Sequence, residues 1–455
     1  MDPSITLGLG GLQNMREPLD PAIFAERRKQ FLGALPAGSL ALFAAAPVAV
    51  RSGDVEYPYR QDNDFYYLTG FPEPEALCLL DSDAAEPFTL FVRPRDPERE
   101  TWTGRRFGVE GARERFGADA AYTVDRFGEI FGKRLDGRQR LFFTLGRDEP
   151  TNQRILEHVR RSQSTRERSG AAALALLSPV DVLHEMRLHK RPEELARMRR
   201  AAAISAVAHR EALLAARPGA NEQEIEAAID FAFRRLGATG PAYPSIVASG
   251  PNATILHYIE NCRQLEDGDL LLIDAGAEYD HYCADVTRTY PVGRRFGDDQ
   301  RRIYQMVLAA QQAAIETVAP GVTFDQVHDA ALRVLVEGLR DLGVLTVSLD
   351  EAVEKGAYRS FYMHRTSHWL GMDVHDVGKY RSGDKSRTLE PGMVLTVEPG
   401  LYFSESVDGA AERYRGTGVR IEDDVLVTDA GHEVLTAEIP KQLEHLEELA
   451  RTRAA

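Results

Sequence analysis

Met363-His-Arg-Thr-Ser-His-Trp-Leu-Gly-Met-Asp-Val-His-Asp376 holds three of the chain's twelve histidines and one of its two tryptophans within fourteen residues. A neutral imidazole can ligate a metal or carry a proton near neutral pH, so the grouping points to a site. His364, His368 and His375 share one face of an uninterrupted helix, whereas on a strand His368 and His375 fall on opposite faces. Gly371 weakens the helical reading. Periodicity therefore leaves two alternatives open, a metal or catalytic cluster and a set of buried, satisfied histidines on a loop. The carboxylates elsewhere in the chain decide between them.

At 455 residues the chain exceeds the size at which single cores stop growing, which predicts two domains. Hydrophobic residues at 43% with 27% charged describe a folded globular protein and argue against disorder or membrane residence. The 55 Lys and Arg against 70 Asp and Glu give a formal net charge of −15, which opposes nonspecific attraction to nucleic acid or an anionic membrane. Neither is expected as a partner. Cys78, Cys262 and Cys283 are odd in number, far apart and without metal-ligand spacing, so a reducing cytoplasm is expected rather than a disulfide framework. Met1–Asp20 lacks a basic region followed by an apolar run, and the apolar Ser39–Val50 is too short to span a bilayer. That second segment reads as a buried strand.

From Pro21 to about Leu177 a helix (Pro21–Leu35) and strand-like runs (Leu40–Ala45, Ala76–Leu80, Phe88–Val92, Leu141–Leu145) make an α/β pattern. Arg160–Gly170, rich in Arg, Ser and Thr, reads as an exposed loop. A boundary near Pro179 divides the chain into residues 1–178 and 179–455. Beyond it Pro192, with Glu193 and Glu194 in the first turn, starts a helix that ends near Arg217-Pro218-Gly219. Asn221 and Glu224 have capping spacing for a second helix through Arg235, and further helices are expected at Asp298–Val318 and Thr323–Leu342. Strand candidates at Leu270–Asp274, Ala284–Pro291, Met393–Glu398 and Val419–Val427 make this half α+β, and a polar helical tail is read near Lys441–Arg453.

Leu270-Leu-Leu-Ile-Asp274 is an apolar strand ending on an acid, and a hairpin through the turn-like Ala275–Cys283 would bring Asp274 close to Asp285. Glu398 ends the apolar run Met393-Val-Leu-Thr-Val and is followed by Pro399-Gly400, a turn signal at a strand end. Alternation places Arg420, Glu422 and Asp424 on one face of the last strand, for which a solvated polar face is the plain alternative. If Asp274, Asp285, Glu398 and Glu422 converge, the like charges raise one another's pKa and oppose folding unless cations lie between them. Four carboxylates with one imidazole form a hard donor set that suits Mn²⁺, with Co²⁺, Fe²⁺ or Zn²⁺ also accommodated. Two divalent ions would balance the four charges, and a pair about 3.5 Å apart can bridge a water and make it a hydroxide nucleophile.

In chain order, Ile273-Asp-Ala-Gly-Ala-Glu278, Ala284-Asp-Val-Thr-Arg-Thr289, Ser367-His-Trp-Leu-Gly-Met-Asp-Val-His-Asp-Val-Gly378, Thr396-Val-Glu-Pro-Gly-Leu-Tyr402 and Gly418-Val-Arg-Ile-Glu-Asp423 resemble the pita-bread metallopeptidase family. The branch they resemble is aminopeptidase P, the Xaa-Pro aminopeptidases. Tyr59-Arg-Gln-Asp-Asn-Asp-Phe-Tyr-Tyr-Leu-Thr-Gly-Phe71 is similar to the family's creatinase-type N-terminal domain. The resemblance implies a pita-bread catalytic domain of α+β class preceded by a smaller α/β domain. It also implies a dinuclear metal site on Asp274, Asp285, His368, Glu398 and Glu422, with Glu398 handling the proton of the bridging water. His257 matches a substrate-side histidine, His375 one that steadies the tetrahedral oxyanion, and His364 one lining the proline pocket. Arg420 and Tyr402 match a network that orients the ligands.

Two departures stand out. The family commonly has glycine after the first histidine, where this chain has Arg365, so either the backbone there is ordinary or Arg365 points into the substrate cleft. Tyr66 stands where bacterial relatives often carry tryptophan. For the other side chains plain alternatives exist: His257 as a packed loop residue, Arg420 as a surface pair with Asp424, Trp369 as core. His209, His328 and His432 are given no function.

The implied activity is release of the N-terminal residue from peptides with proline second, by a cytoplasmic homodimer or homotetramer. Proline lacks the N–H that ordinary aminopeptidases contact, which is why a dedicated enzyme is needed. The nearest rival is a prolidase acting on Xaa-Pro dipeptides; Ser367-His-Trp-Leu-Gly371 is closer to the aminopeptidase pattern. A non-catalytic peptide-binding module on the same fold is the alternative from another class, and the presence of all five ligand-type residues argues against it.

Overall fold

A computed structural model describes residues 18–452 apart from residues 137 and 148. Most of Met1–Asp20, read above for targeting signals, lies outside the described residues, as does the last residue of the predicted tail. The chain forms two compact units, Pro18–Met186 and Arg187–Ala455.

In the first unit Asp20 caps the helix Pro21–Ala34 by accepting the Ala22 amide, with Pro21 at its first turn where no N–H is needed. A six-stranded mixed sheet runs in the order Ala120–Thr123, Phe88–Val92, Leu77–Asp81, Ser39–Ala44, Arg140–Phe142, Ala175–Leu177. The inner strands are antiparallel and the outer ones parallel. Its core joins Leu40, Leu79 and Phe91 to Phe127, Phe131 and Ile155 from the helices.

Two expectations fail here. Arg160–Gly170 is not a loop, because a helix runs Glu149–Ser169. Ile155, Val159, Ser162 and Arg166 form its buried face, and the Arg166 guanidinium donates to the Leu135 and Ala172 carbonyls at 3.0 Å each. The polar composition is that of the solvated face, and tertiary contact overrides it. The apolar Ser39–Val50 segment is strand only to Ala44, and Val50 is exposed on a separate two-stranded ribbon. In the Tyr59–Phe71 motif Asp62 caps the helix Asn63–Thr69. Buried Tyr66 packs edge-on to Phe24 with ring centroids 5.8 Å apart.

In the second unit, Pro192–Ala215 packs on Glu222–Arg235 and Asp298–Thr317 on Phe324–Asp341. Asn221 and Thr323 cap their helices through the side chain. The tail helix Leu443–Arg451 is amphipathic, burying Leu443, Leu446 and Ala450. Against these helices lie the sheet Ile246–Ser249, Leu270–Asp274, Thr287–Pro291 and the sheet Val394–Val397, Asp423–Thr428, Gly431–Val434. The pair Gly400–Phe403 and Thr417–Arg420 completes this α+β unit.

Leu270–Asp274 and Thr287–Pro291 are antiparallel with Asp274 opposite Thr287. The intervening residues are more than a turn: Ala277–Tyr279 and Tyr282–Cys283 form a ribbon whose tip, Asp280 and His281, has positive φ of 49° and 70°. The predicted strand Val419–Val427 is two strands, broken at Ile421-Glu422. Among the described residues no helix is long and apolar enough to cross a membrane.

Candidate metal centre

Three of the five predicted ligand residues sit at strand ends, where the backbone leaves a ladder and a side chain can turn inward. Asp274 is the last residue of its strand, Glu398 directly follows Val394–Val397, and Glu422 lies at the break before Asp423–Thr428. The Glu398 amide donates to the Thr366 carbonyl at 2.8 Å and the Glu422 amide to the Thr287 carbonyl at 3.0 Å. The Asp285 amide donates to both carboxylate oxygens of Asp424 at 3.2 Å.

His368 lies in extended, non-helical backbone, hydrogen-bonded to Thr396 through both its amide and its carbonyl. Its Nδ1 lies 3.0 Å from the Trp369 carbonyl, which makes Nδ1 the protonated nitrogen and leaves Nε2 as donor atom. Nε2 is 3.3 Å from Asp285 Oδ2 and 3.5 Å from Glu398 Oε1. Ligating atoms of Asp285, His368 and Glu422 all lie within 4.8 Å of one another. All five residues line one cavity of about 1210 Å³.

Such a cluster is electrostatically unsatisfied by itself. Burial, with Asp285, Glu398 and Asp274 adding their charges, pushes the Glu422 carboxyl well above its usual range. Burial and the Asp285 and Asp274 charges hold Glu398 at about 7 despite His368 and Arg420. Asp274 is raised by burial and by Asp285, against the opposing Arg420. Burial would lower His368, yet the Asp285 hydrogen bond and the Glu398 charge lift it to about 9. Glu398 and Glu422 retain protons here unless a cation replaces them. The hard oxygen donors and the preset imidazole Nε2 fit a divalent metal ion.

Around the cluster, Arg420 is buried and donates to Asp274 Oδ2 at 2.7 Å, Tyr402 Oη at 2.9 Å and Thr287 Oγ1 at 3.1 Å. It is no surface pair with Asp424, and the Arg420, Glu422, Asp424 face is buried rather than solvated. Because the Tyr402 oxygen accepts from Arg420, its hydroxyl is free to donate to His364 Nε2 at 2.9 Å. Nδ1–H of His364 then donates to the Arg365 carbonyl at 2.8 Å. Burial and the Arg420 charge push His364 down to about 3, so it is neutral at physiological pH. His257 and His375 both line the cavity, and His375 meets His368 edge-on with ring centroids 4.4 Å apart. Burial and the His368 charge lower the His375 pKa.

Arg365 has ordinary negative φ and also lines the cavity, so the two possibilities raised by its replacing a glycine hold together. Trp369 is core, stacked on Tyr380 with ring planes 14° apart; Tyr380 and Phe324 form the cavity wall instead.

Several partners were given no role in the motif reading. The Tyr243 hydroxyl donates to Asp274 Oδ1 at 2.6 Å, the Thr287 hydroxyl to Glu422 Oε2 at 2.7 Å, and Asp424 receives the Asp285 amide. Buried His328, held down to about 4 chiefly by burial, hydrogen-bonds the Thr366 hydroxyl at 2.8 Å behind the His364–His368 segment. Asp424 shared the predicted strand with Glu422 and Thr287 lay within the Ala284–Thr289 motif, which were the signals available.

Strand-end carboxylates and an oriented histidine around one cavity fit a metal-dependent hydrolase, and the chain belongs to metallopeptidase family M24, whose model matches residues 196–429. The N-terminal domain model of aminopeptidase P matches residues 24–143. The Xaa-Pro aminopeptidases of Haemophilus influenzae and Escherichia coli are 44% and 43% identical to it, each alignment covering 94% of this chain and 96% and 97% of the relative. Pseudomonas aeruginosa aminopeptidase PepP superposes with a TM-score of 0.92 at 45% identity, over 95% of this chain and 98% of its own. A zinc-substituted Escherichia coli aminopeptidase P in complex with product also gives 0.92, at 42% identity, over 96% of this chain and all of its own.

Proposed function

We propose that this protein is a metal-dependent Xaa-Pro aminopeptidase, hydrolysing the bond between the N-terminal residue and a following proline. The observation that carries the reading is the approach of the Asp285, His368 and Glu422 donor atoms to within 4.8 Å on the wall of one large cavity, in a chain of this family. We assign Asp274, Asp285, His368, Glu398 and Glu422 as ligands to two divalent ions. The hardness of that donor set favours Mn²⁺, with Co²⁺, Fe²⁺ and Zn²⁺ as alternatives. Ions bound there supply Lewis acidity and lower the pKa of the attacking water.

The chain's own groups do the remainder. Glu398, within 3.7 Å of both His364 and His368, is placed to take up and release the proton of the attacking water. His375, neutral beside His368, can donate one N–H to the peptide oxygen as charge develops. His364, locked between Tyr402 and the Arg365 carbonyl, presents its ring as a rigid wall for the proline. Arg420 holds Asp274 and Tyr402 in place, and His257 lines the substrate side.

Free thiols at Cys78, Cys262 and Cys283 support a reducing cytoplasm as its compartment. Assembly as a homodimer or homotetramer follows from the resemblance alone. The test is metal-loaded protein offered Ala-Pro-Ala, Ala-Pro and Ala-Ala-Ala in parallel. Cleavage of Ala-Pro-Ala is the expected outcome; cleavage of Ala-Pro alone replaces the reading with a prolidase, and preference for Ala-Ala-Ala removes both.

A further inference from the structure

One wall of the cavity carries two arginines that the metal chemistry leaves unused. Arg365 and Arg381 come from separate segments, and both donate to a single carboxylate, Asp325: Arg365 Nη2 to Oδ1, and Arg381 Nη1 to Oδ2 at 3.0 Å. Arg381 Nη2 also donates to the Asp384 carbonyl. The arginine side chains are 54% and 53% exposed, and Asp325 35%. Two guanidiniums on one carboxylate leave a surplus positive charge here, in a chain whose net charge is −15. The neighbouring acid on the wall, Asp373, is held by Arg187 at 2.7 Å. Phe324, Val374 and Tyr380 make the surrounding wall apolar or aromatic.

We propose that Arg365 and Arg381 form an anion-reading subsite that binds a carboxylate carried by the peptide beyond its proline. The proposal rests on the Xaa-Pro aminopeptidase reading and names the substrate class it prefers. A peptide enters with a cationic N-terminus, which this wall repels, and an anionic C-terminal side, which it attracts. Arg365 directly follows His364, the residue assigned to the proline, so it is placed to meet what comes next in the substrate. An isolated exposed ion pair contributes little. Here Asp325 already restrains both guanidiniums, and a pre-held planar fork loses less rotamer freedom on taking a second carboxylate. The carboxylate is either the free C-terminus of a tripeptide or an acidic side chain at the third position.

The experiment compares kcat/KM of the metal-loaded protein for Ala-Pro-Ala, Ala-Pro-Ala-amide, Ala-Pro-Asp-amide and Ala-Pro-Lys-amide. A carboxylate-bearing peptide is expected to exceed Ala-Pro-Ala-amide by about fivefold to tenfold, mostly through KM, with the lysine peptide below it. Salt at about 0.5 M should shrink that ratio. Advantage for Ala-Pro-Ala alone assigns the terminal carboxylate and advantage for the aspartate peptide assigns the side chain; either supports the subsite. In the R365Q/R381Q double variant the ratio should fall to about one, and in R365E/R381E the lysine peptide should lead. Equal kcat/KM across the four peptides in the parent protein, or ratios unchanged in both double variants, overturns the subsite. Cleavage of none of the four overturns the Xaa-Pro reading and the subsite with it, a result distinct from equal cleavage of all.

Discussion

Arg420 donates from Nη2 to Oδ2 of Asp274 at 2.7 Å, with both side chains buried. One guanidinium thereby ties a carboxylate of the centre to Tyr402 and Thr287, a threefold grip that suits a planar fork and not a single ammonium. Arg420→Lys should keep the charge and lose the grip, costing about tenfold to a hundredfold in metal affinity. Calorimetric titration with Mn²⁺ measures it, and affinity within twofold of the parent protein would sink the positioning role.

Glu398→Gln removes the group held near 7 while preserving shape. Turnover should drop about 10²-fold to 10⁴-fold, because the proposed general acid–base group and one proposed metal-binding oxygen go together. The metal-free variant should melt no lower than the parent, since a buried acid among like charges is replaced by a neutral amide. Near-normal turnover at saturating Mn²⁺ would refute the assignment.

Metal uptake should release protons. Glu398 held at about 7 and Glu422 raised above its usual range keep protons in the metal-free protein, and His368 is raised to about 9. A cation favours the ionised acids and the neutral imidazole, so the protons leave as it binds and affinity rises with pH through neutrality. Titration at pH 6.5 in buffers of different ionisation enthalpy reads the release directly. Binding heats that do not depend on the buffer would contradict it.

Gly276 lies where the segments that follow Asp274 and precede Asp285 nearly touch: a Cβ there would meet the Ala284 carbonyl oxygen at 1.8 Å. Gly276→Ala must push Ala284 away and carry Asp285 with it. We expect destabilisation of about 2 kcal/mol in urea melts, together with weaker Mn²⁺ binding. Unchanged values of both would show that the close approach is not needed to set Asp285.

Much of the fold could be read from local pattern. Leu270–Asp274 and Phe88–Val92 are apolar runs with turn signals on both sides, and the caps Asp20, Asn221 and Thr323 act within three residues of themselves. The helix Glu149–Ser169 was hidden because its buried face includes the polar Ser162 and Arg166, the latter satisfied by the Leu135 and Ala172 carbonyls outside the helix. Glu422 looked like part of a solvated face because alternation reports that two faces differ, not which one meets water.

The sequence by itself determined the residue types of the centre and their positions at the ends of apolar runs, along with the motifs that mark the family. Only the tertiary structure decided which atoms meet. Asp285, His368 and Glu422 lie far apart along the chain, yet their donor atoms come within 4.8 Å. Tyr243, Thr287 and Asp424 hydrogen-bond Asp274, Glu422 and Asp285 from other segments, pairings that no local period specifies. The sharing of Asp325 between Arg365 and Arg381 joins three segments in the same way. The physical reason is range: propensities and caps act over a few residues, whereas burial, charge and hydrogen bonding act between whatever side chains packing brings together.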